Sequence, residues 1–277
     1  EEYPKFQKRL YCKGFLITNE KQNAGCGYPF YSNWSERQIS SSFYMYTHQD
    51  AYAYTYEKNE AIHFMVGHAY DPYNMLVDEN EILRNLASAR EKSDEDYWEE
   101  ESKLTGVFCV GYIVGNKIIY TTDCAGMQLV YHGTINGKVF ITSHGKLVAD
   151  LKRLEQPEYI KRLTTNKYWH YWGTWLPGDL SPFDELKRMV PNHAGKYSNE
   201  IGCTEIFRFY PTQKIVETKT EKEYKETIGE LGRIMSNTMQ CIAMKWPEKK
   251  VSVSVTGGRD SMTALSCANK VYDKFKY

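Results

Sequence analysis

Near the C-terminal end of the chain, Val251-Ser252-Val253-Ser254-Val255 runs into Thr256-Gly257-Gly258-Arg259-Asp260-Ser261, and Met262-Thr263-Ala264-Leu265 follows. Valine and serine alternate with period two, as in a strand. The residues after Ser261 suit a helix start. A strand that passes through glycines into a helix N-terminus makes an anion site from backbone N–H groups and the helix dipole. Glycine lets that backbone approach a phosphate closely. The Thr256 and Ser261 hydroxyls can donate to phosphate oxygens. Asp260 repels a phosphate on its own, so its expected role is to hold Mg²⁺ beside one. The plainer reading is a turn rich in small residues. Two hydroxyls and a carboxylate in register after a strand favour the phosphate reading.

Other candidate groups promise less. His63 and His68 are five apart on a strand and face opposite sides, so they do not share a metal. His132 and His144 fall at strand ends and read as surface residues. Asp123 reads as a turn anchor, not an acid. Trp169, Trp172 and Trp175 are expected to pack a domain seam, with base stacking as the second choice. The seven cysteines, Cys12, Cys26, Cys109, Cys124, Cys203, Cys241 and Cys267, are scattered and never form a C-x-x-C pair. That spacing argues against a zinc site or a disulfide framework and for buried thiols in a reducing compartment. Apart from Asp260 and its Mg²⁺, no metal ligand is expected.

These groups need elements to hold them. The chain has 277 residues, 42% of them hydrophobic, enough for one large or two ordinary domains. Its 35 basic and 35 acidic residues cancel, which argues against a generic nucleic-acid binder. No apolar run approaches a membrane span, and Glu1-Glu2-Tyr3-Pro4-Lys5 is no signal peptide, so the cytoplasm is expected. Strands are expected over 11–18, within 42–56 and over 61–69. The stretch 25–35 reads as loop. A helix over 78–90 has Asp78 as its N-cap, and the acidic run 94–101 reads as a solvated helix face. Gly115-Asn116 joins strands 107–114 and 117–122, and Asn136-Gly137 joins 128–131 to 139–142. A helix is expected over 144–154 and a short strand over 206–210. Apolar residues at 224, 228, 231, 235, 239 and 242 mark a long amphipathic helix over 221–246, ended by Pro247-Glu248-Lys249-Lys250.

The loop at 256–261 resembles the pyrophosphate loop of the ATP pyrophosphatase superfamily, Ser-Gly-Gly-x-Asp-Ser. Thr256 stands for the first serine and Arg259 at the variable position. It is not a Walker A loop, because no Gly-Lys-[Ser/Thr] triplet is present. A second resemblance lies upstream. Leu104-Thr105-Gly106-Val107-Phe108 is similar to the Leu-x-Gly-x-Phe strand of class II glutamine amidotransferase domains. Asp123-Cys124-Ala125-Gly126 with Leu129-Val130-Tyr131, then Phe140-Ile141-Thr142-Ser143-His144-Gly145-Lys146-Leu147, follow that family's order. Met189-Val190-Pro191-Asn192-His193 resembles its Leu-x-Pro-Gly-His, with Asn192 for glycine; asparagine also tolerates a left-handed backbone.

The order of the two resembles the asparagine synthetase family. It implies an α+β, Ntn-hydrolase-like αββα sandwich over 1–215, a linker and long helix over 216–250, and the start of an α/β PP-loop domain over 251–277. That start comprises a strand over 251–255 and a helix from about 261 to 276. It also implies ATP and Mg²⁺, with phosphate held by Thr256, Gly257, Gly258, Asp260 and Ser261 and the metal by Asp260. The family's glutaminase uses an N-terminal cysteine as nucleophile, and Glu1 stands at that place. Its Arg-Gly-Pro and Asn-Gly-Glu segments are missing; Val66-Gly67-His68-Ala69-Tyr70 fills the second position. Processing before Cys12, whose Cys12-Lys13-Gly14 loosely resembles the family start, is the alternative source of a nucleophile, although Cys12 reads better as a strand residue.

The reading is an ATP-dependent ligase that adenylates a small-molecule or peptide carboxylate, releases pyrophosphate and passes the acyl group to ammonia or an amine. The alternatives are a glutamine-dependent asparagine synthetase, a PP-loop tRNA-modifying enzyme and a non-catalytic regulatory homologue. A single βα unit cannot cover a parallel sheet. The remainder of the synthetase domain is therefore expected from the same or a second chain, and a homodimer is possible.

Overall fold

The computed structural model describes residues 4–25, 27–211, 214, 217–247 and 251–277; Glu1, Cys26 and Glu248-Lys249-Lys250 fall outside them. In chain order the elements begin with α1 (Pro4–Gln7), β1 (Phe15–Thr18), β2 (Trp34–Gln38), β3 (Tyr44–His48), β4 (Ala53–Lys58) and β5 (Ala61–Tyr70). Next come α2 (Glu79–Arg90), α3 (Asp94–Glu101), β6 (Thr105–Val114), β7 (Lys117–Thr122), β8 (Tyr131–Ile135) and β9 (Lys138–Thr142). Then follow α4 (Gly145–Lys152), α5 (Glu158–Thr164), α6 (Trp169–Trp172), β10 (Lys187–Arg188), β11 (His193–Ser198) and β12 (Cys203–Arg208). The chain closes with α7 (Glu221–Lys245), β13 (Val251–Ser252), α8 (Arg259–Cys267), a 3₁₀ turn (Asn269–Lys274) and β14 (Phe275–Lys276). Two compact units result: Glu1–Gly67 with Val107–Phe209, and His68–Gly106 with Tyr210–Tyr277.

The first unit is built on two six-stranded sheets, ordered β10-β8-β9-β1-β3-β2 and β12-β11-β7-β6-β5-β4. Strand β1 pairs antiparallel with both β3 and β9, and β7 pairs antiparallel with both β6 and β11. Strand periodicity explains the layering. In β1, Phe15 and Ile17 enter a core shared with Phe64, Val66, Cys109, Ile113 and Tyr120 of the other sheet, whereas Leu16 points the other way. The sheets therefore pack face to face. Leu16, Tyr46 and Phe140 form a second cluster with Leu147, Val148 and Ala149 of α4, so a helix covers one outer face. A strand buried on both faces is apolar at successive positions, as Phe-Leu-Ile is here.

The turn chemistry agrees with the sequence. Asn136 and Gly137 adopt φ of 52° and 71° between β8 and β9, and Gly115 adopts 56° between β6 and β7. Gly106 of the Leu-x-Gly-x-Phe stretch has φ of 141°, and a Cβ there would lie 2.1 Å from the His68 carbonyl oxygen. Only glycine fits that approach. Asn192, expected to tolerate a left-handed backbone, has φ of 67°. Asp78 caps α2 by accepting from Asn80 N at 2.9 Å.

Several expectations are corrected. The first strand starts at Phe15, not at residue 11, because Tyr11 and Lys13 take φ of 52° and 57°, which no strand accommodates. Cys12 is thus an exposed turn residue and not part of a strand. Strand β2 emerges from the end of the expected loop 25–35. The β8 strand starts at Tyr131, where the expected strand ended, because Asp123 ties down residues 125–128. Helix α3 is not merely a solvated face: Tyr97 and Trp98 are buried. Trp175 is 67% exposed, and the side chain of Trp172 lies outside the described residues. The strand at 251–255 shrinks to Val251–Ser252, since its partner β14 is also only two residues long. The helix expected over 261–276 begins at Arg259, ends at Cys267 and gives way to the 3₁₀ turn and to β14.

In the second unit, α2 packs on α3, and α7 packs on α8 and the 3₁₀ turn. Helix α7 starts with a capping box: Thr220 Oγ1 accepts from Glu223 N at 3.2 Å, and the Glu223 carboxylate accepts from Thr220 N at 3.0 Å.

Candidate functional site

Strands β13 and β14 run parallel, with Val251 opposite Phe275 and Ser252 opposite Lys276. Helix α8 is the crossover between them, and residues 253–258 form the loop into it. The geometry is therefore strand, loop, helix N-terminus, returning strand. Gly258 is the N-cap of α8, in extended conformation and with no side-chain capping bond. The first N–H groups of a helix have no helical acceptor. Here they open beside a fully exposed stretch, Thr256 to Asp260.

The two hydroxyls do something other than point outward. Ser261 Oγ accepts from Thr256 N at 3.0 Å, and its single proton serves Thr256 O at 2.8 Å or Gly258 O at 3.1 Å. Thr256 Oγ1 lies 3.1 Å from Ser261 Oγ and accepts from Gly258 N at 3.3 Å. Thr256 and Ser261 thus zip the loop shut across five residues. The donors left to an anion are backbone amides. A Cβ at Gly257 would meet nothing within 4 Å, so no internal crowding demands glycine there; what it leaves bare is the outer surface. Asp260 sits in the first turn of α8, where its charge also complements the helix dipole. Exposed amides together with one hard carboxylate oxygen fit a phosphate carrying Mg²⁺.

A second polar cluster, which sequence reasoning missed, lies in the same unit. Lys245, the last residue of α7, forms an ion pair with Glu79 of α2, their side chains 8% and 5% exposed. Lys245 Nζ also donates to Val77 O at 2.7 Å and Ala69 O at 3.3 Å, and sits 5.0 Å from the Tyr70 ring centre. Burial pushes the Glu79 carboxyl up, but hydrogen bonds from His68 and Lys245 outweigh it and hold it below the usual carboxylate range. This cluster anchors the end of α7 just before the β13 segment. Local pattern carries no trace of it, because its partners are 166 residues apart.

The remaining candidates are structural. Asp123 is fully buried and accepts from Ala125 N, Met127 N and Gln128 N at 3.1, 3.0 and 2.7 Å, as a turn anchor does. His63 is buried beside Tyr112, whereas His68 faces Glu79, so they share no ligand. His132 is not a surface residue: burial drives its pKa down to about 4. His144 occupies the N-cap position of α4 without a side-chain capping bond, its Nδ1 2.8 Å from Ser143 Oγ. It lines a cavity of about 560 Å³ with Tyr131, Lys146 and Phe183. Cys12 has its backbone N–H bonded to Arg9 O at 3.3 Å and its thiol 3.7 Å from Asp50 Oδ2.

Neither a protein-family model nor a curated protein sequence matches the chain. Among solved structures, it is similar to glutamine phosphoribosylpyrophosphate amidotransferase from B. subtilis, complexed with ADP and GMP. That match has 10% identity over 99% of this chain and 61% of that chain, with a TM-score of 0.43. An allosteric regulatory enzyme of purine biosynthesis matches at 11% identity over 95% of this chain and 58% of that chain, with a TM-score of 0.42. The chain spans about three-fifths of the length of each.

Proposed function

We propose that this chain belongs to an ATP-dependent, amide-forming ligase, with an amidotransferase-like sandwich that hydrolyses no glutamine. The observation that carries the reading is the exposed Thr256–Ser261 loop at the uncapped N-terminus of α8, within a parallel strand–helix–strand unit. In this reading the amides of Gly257 and of the first turn of α8 hold the pyrophosphate portion of ATP. A carboxylate substrate attacks the α-phosphorus, pyrophosphate leaves, and ammonia or an amine then displaces AMP to give the amide. Amides fixed in place before reaction stabilise the charge that builds on the departing pyrophosphate. Asp260 holds Mg²⁺, which would spread that charge further.

The proposed lack of glutaminase chemistry rests on the missing Arg-Gly-Pro and Asn-Gly-Glu segments, through which the family binds glutamine. A nucleophile of this class uses its own free α-amine as base. Cys12, the alternative nucleophile, would have that base only if processing freed its α-amine; within the chain its nitrogen is a peptide N–H that donates to Arg9 O. The test is pyrophosphate release from ATP and Mg²⁺ with a panel of carboxylic acids and ammonia, by the wild type and Asp260→Ala. Release that Asp260→Ala lowers by about 100-fold or more supports the reading. Equal release by both proteins removes the loop from the chemistry. Glutamate formed from glutamine, and lost in Cys12→Ala, would overturn the second half.

A further inference from the structure

We propose that Cys12, His48 and Asp50 form a site for one divalent transition-metal ion of the zinc class, separate from the loop at 256–261. Topology builds the cluster. Cys12 lies in the turn before β1, His48 ends β3, and Asp50 follows it. The β1–β3 ladder sets Phe15 opposite Thr47, and His48 N donates to Gly14 O at 2.9 Å. One ligand atom from each of the three side chains then lies within 4.8 Å of the others.

The spacing suits a tetrahedral ion. Zinc bonds of about 2.3 Å to sulfur and about 2.1 Å to nitrogen or oxygen, at tetrahedral angles, require an S···O edge of about 3.6 Å and an N···O edge of about 3.4 Å. Cys12 Sγ lies 3.7 Å from Asp50 Oδ2, and His48 Nδ1 lies 3.7 Å from the same oxygen. Two edges of the tetrahedron are already present to within a few tenths of an ångström.

The histidine is also set in the right tautomer. Asp50 N, which can only donate, points at His48 Nδ1 at 3.1 Å. Lys8 O, which can only accept, lies 3.0 Å from Nε2. Both fix the proton on Nε2 and the lone pair on Nδ1, where it meets the Asp50 amide, 3.7 Å from Asp50 Oδ2. Asn33 alone reads otherwise, with Nδ2 placed 2.8 Å from Nε2, while its buried Oδ1 has no hydrogen-bond partner. The Asn33 amide turned end for end gives Oδ1 the Nε2 proton, loses the 3.2 Å contact from Nδ2 to Lys8 O and moves Nδ2 to the buried place of Oδ1. A metal-binding imidazole held through its other nitrogen by a carbonyl is the usual supporting arrangement.

The His48 side chain is fully buried, while Cys12 and Asp50 are exposed, so the fourth position faces solvent. Binding exchanges the Asp50 N–H bond on Nδ1 for a coordinate bond. It also releases the Cys12 thiol proton to solvent, and the thiolate and carboxylate together balance the divalent charge. A thiolate–imidazole–carboxylate set selects zinc-class ions over Mg²⁺ or Ca²⁺.

Cobalt(II), added to chelator-treated protein, is the probe. The wild type is expected to bind one equivalent with a thiolate-to-cobalt charge-transfer band, which zinc then abolishes. Cys12→Ser is expected to lose the band and about 100-fold or more in affinity; Asp50→Asn keeps the band and loses about 10-fold. Both positions are exposed, and circular dichroism verifies the fold. No band in the wild type, a band that survives Cys12→Ser, or unchanged affinity in Asp50→Asn would each overturn the site.

Discussion

The β-sandwich and the segment after α7 are built to different standards. Between the sheets, Phe15, Ile17, Phe64, Tyr120, Ile141 and Tyr197 are closed off from solvent on every side. After α7, two two-residue strands carry a helix with no buried residue, and among the described residues there only Ala268 and Phe275 are covered. Val255, Met262 and Tyr272 stand well exposed. Packing accounts for most side chains in the first region and for few in the second. Yet the second holds the closed hydrogen-bond ring of Thr256 and Ser261. That ring is held by hydrogen bonds within the loop itself and not by burial against the scaffold. Burial holds the first region, and local hydrogen bonds hold the loop of the second.

Mutations at matched apolar positions break or sharpen this contrast. Phe64→Ala in the inter-sheet core is expected to cost about 3–5 kcal/mol in urea unfolding. Leu265→Ala on α8, where the side chain is only half-buried, is expected to cost less than about 1 kcal/mol. Similar losses at both positions would show that the C-terminal segment is as fully cored as the sandwich. Lys245→Ala tests the anchor before that segment. It strands Glu79 in a buried site and is expected to cost about 3–5 kcal/mol, with Lys245→Ala/Glu79→Gln recovering part of it.

A proton linkage gives the next effect down. His132 is buried and neutral, with its pKa lowered from 6.5 to about 4 by desolvation. The unfolded chain therefore binds more protons than the folded one between those values. The stability this histidine contributes is fully present above about pH 6.5 and is lost as pH falls toward about 4. The loss between about pH 7.5 and about pH 4.5 is expected to be about 2–3 kcal/mol. His132→Gln removes the titration, so unfolding curves at the two pH values should draw together by that amount. An unchanged gap would place the acid sensitivity elsewhere.

What could be read from sequence follows the range of the interactions. The hairpin at Asn136-Gly137, the cap at Asp78 and the left-handed Asn192 are each set by a few adjacent residues, and each was visible. The doubly buried β1 announced itself through Phe-Leu-Ile, although its start was misplaced by positive φ at Tyr11 and Lys13. Strand β2 was hidden because it is an edge strand: Trp-Ser-Glu-Arg-Gln has one buried residue and four exposed ones. The Glu79–Lys245 pair and the Cys12–His48–Asp50 cluster were invisible for another reason. Their members meet only through helix packing or the β1–β3 ladder, and cysteine spacing rules test for local pairs alone. The turn into α8 at 256–261 was legible as a motif, but the inward turn of its hydroxyls was not.

That inward turn leads to the smallest effect. If Ser261 holds the loop closed, its hydroxyl matters through the Thr256 amide it accepts from, 3.0 Å away. The bond is exposed, so Ser261→Ala should lower global stability by less than about 1 kcal/mol. Locally it removes the acceptor for Thr256 N and the shared contact with Thr256 Oγ1. Amide exchange at Thr256 is then expected to quicken by roughly 5-fold, a loss of about 1 kcal/mol of local protection, while Phe64 exchange stays the same. Ser261→Thr keeps the hydroxyl and should restore most of the protection. Slow exchange at Thr256 in Ser261→Ala would mean that another group closes the loop. Quickened exchange at Phe64 as well would mean that the thin C-terminal segment and the sandwich open together, and the division of labour between them would fail.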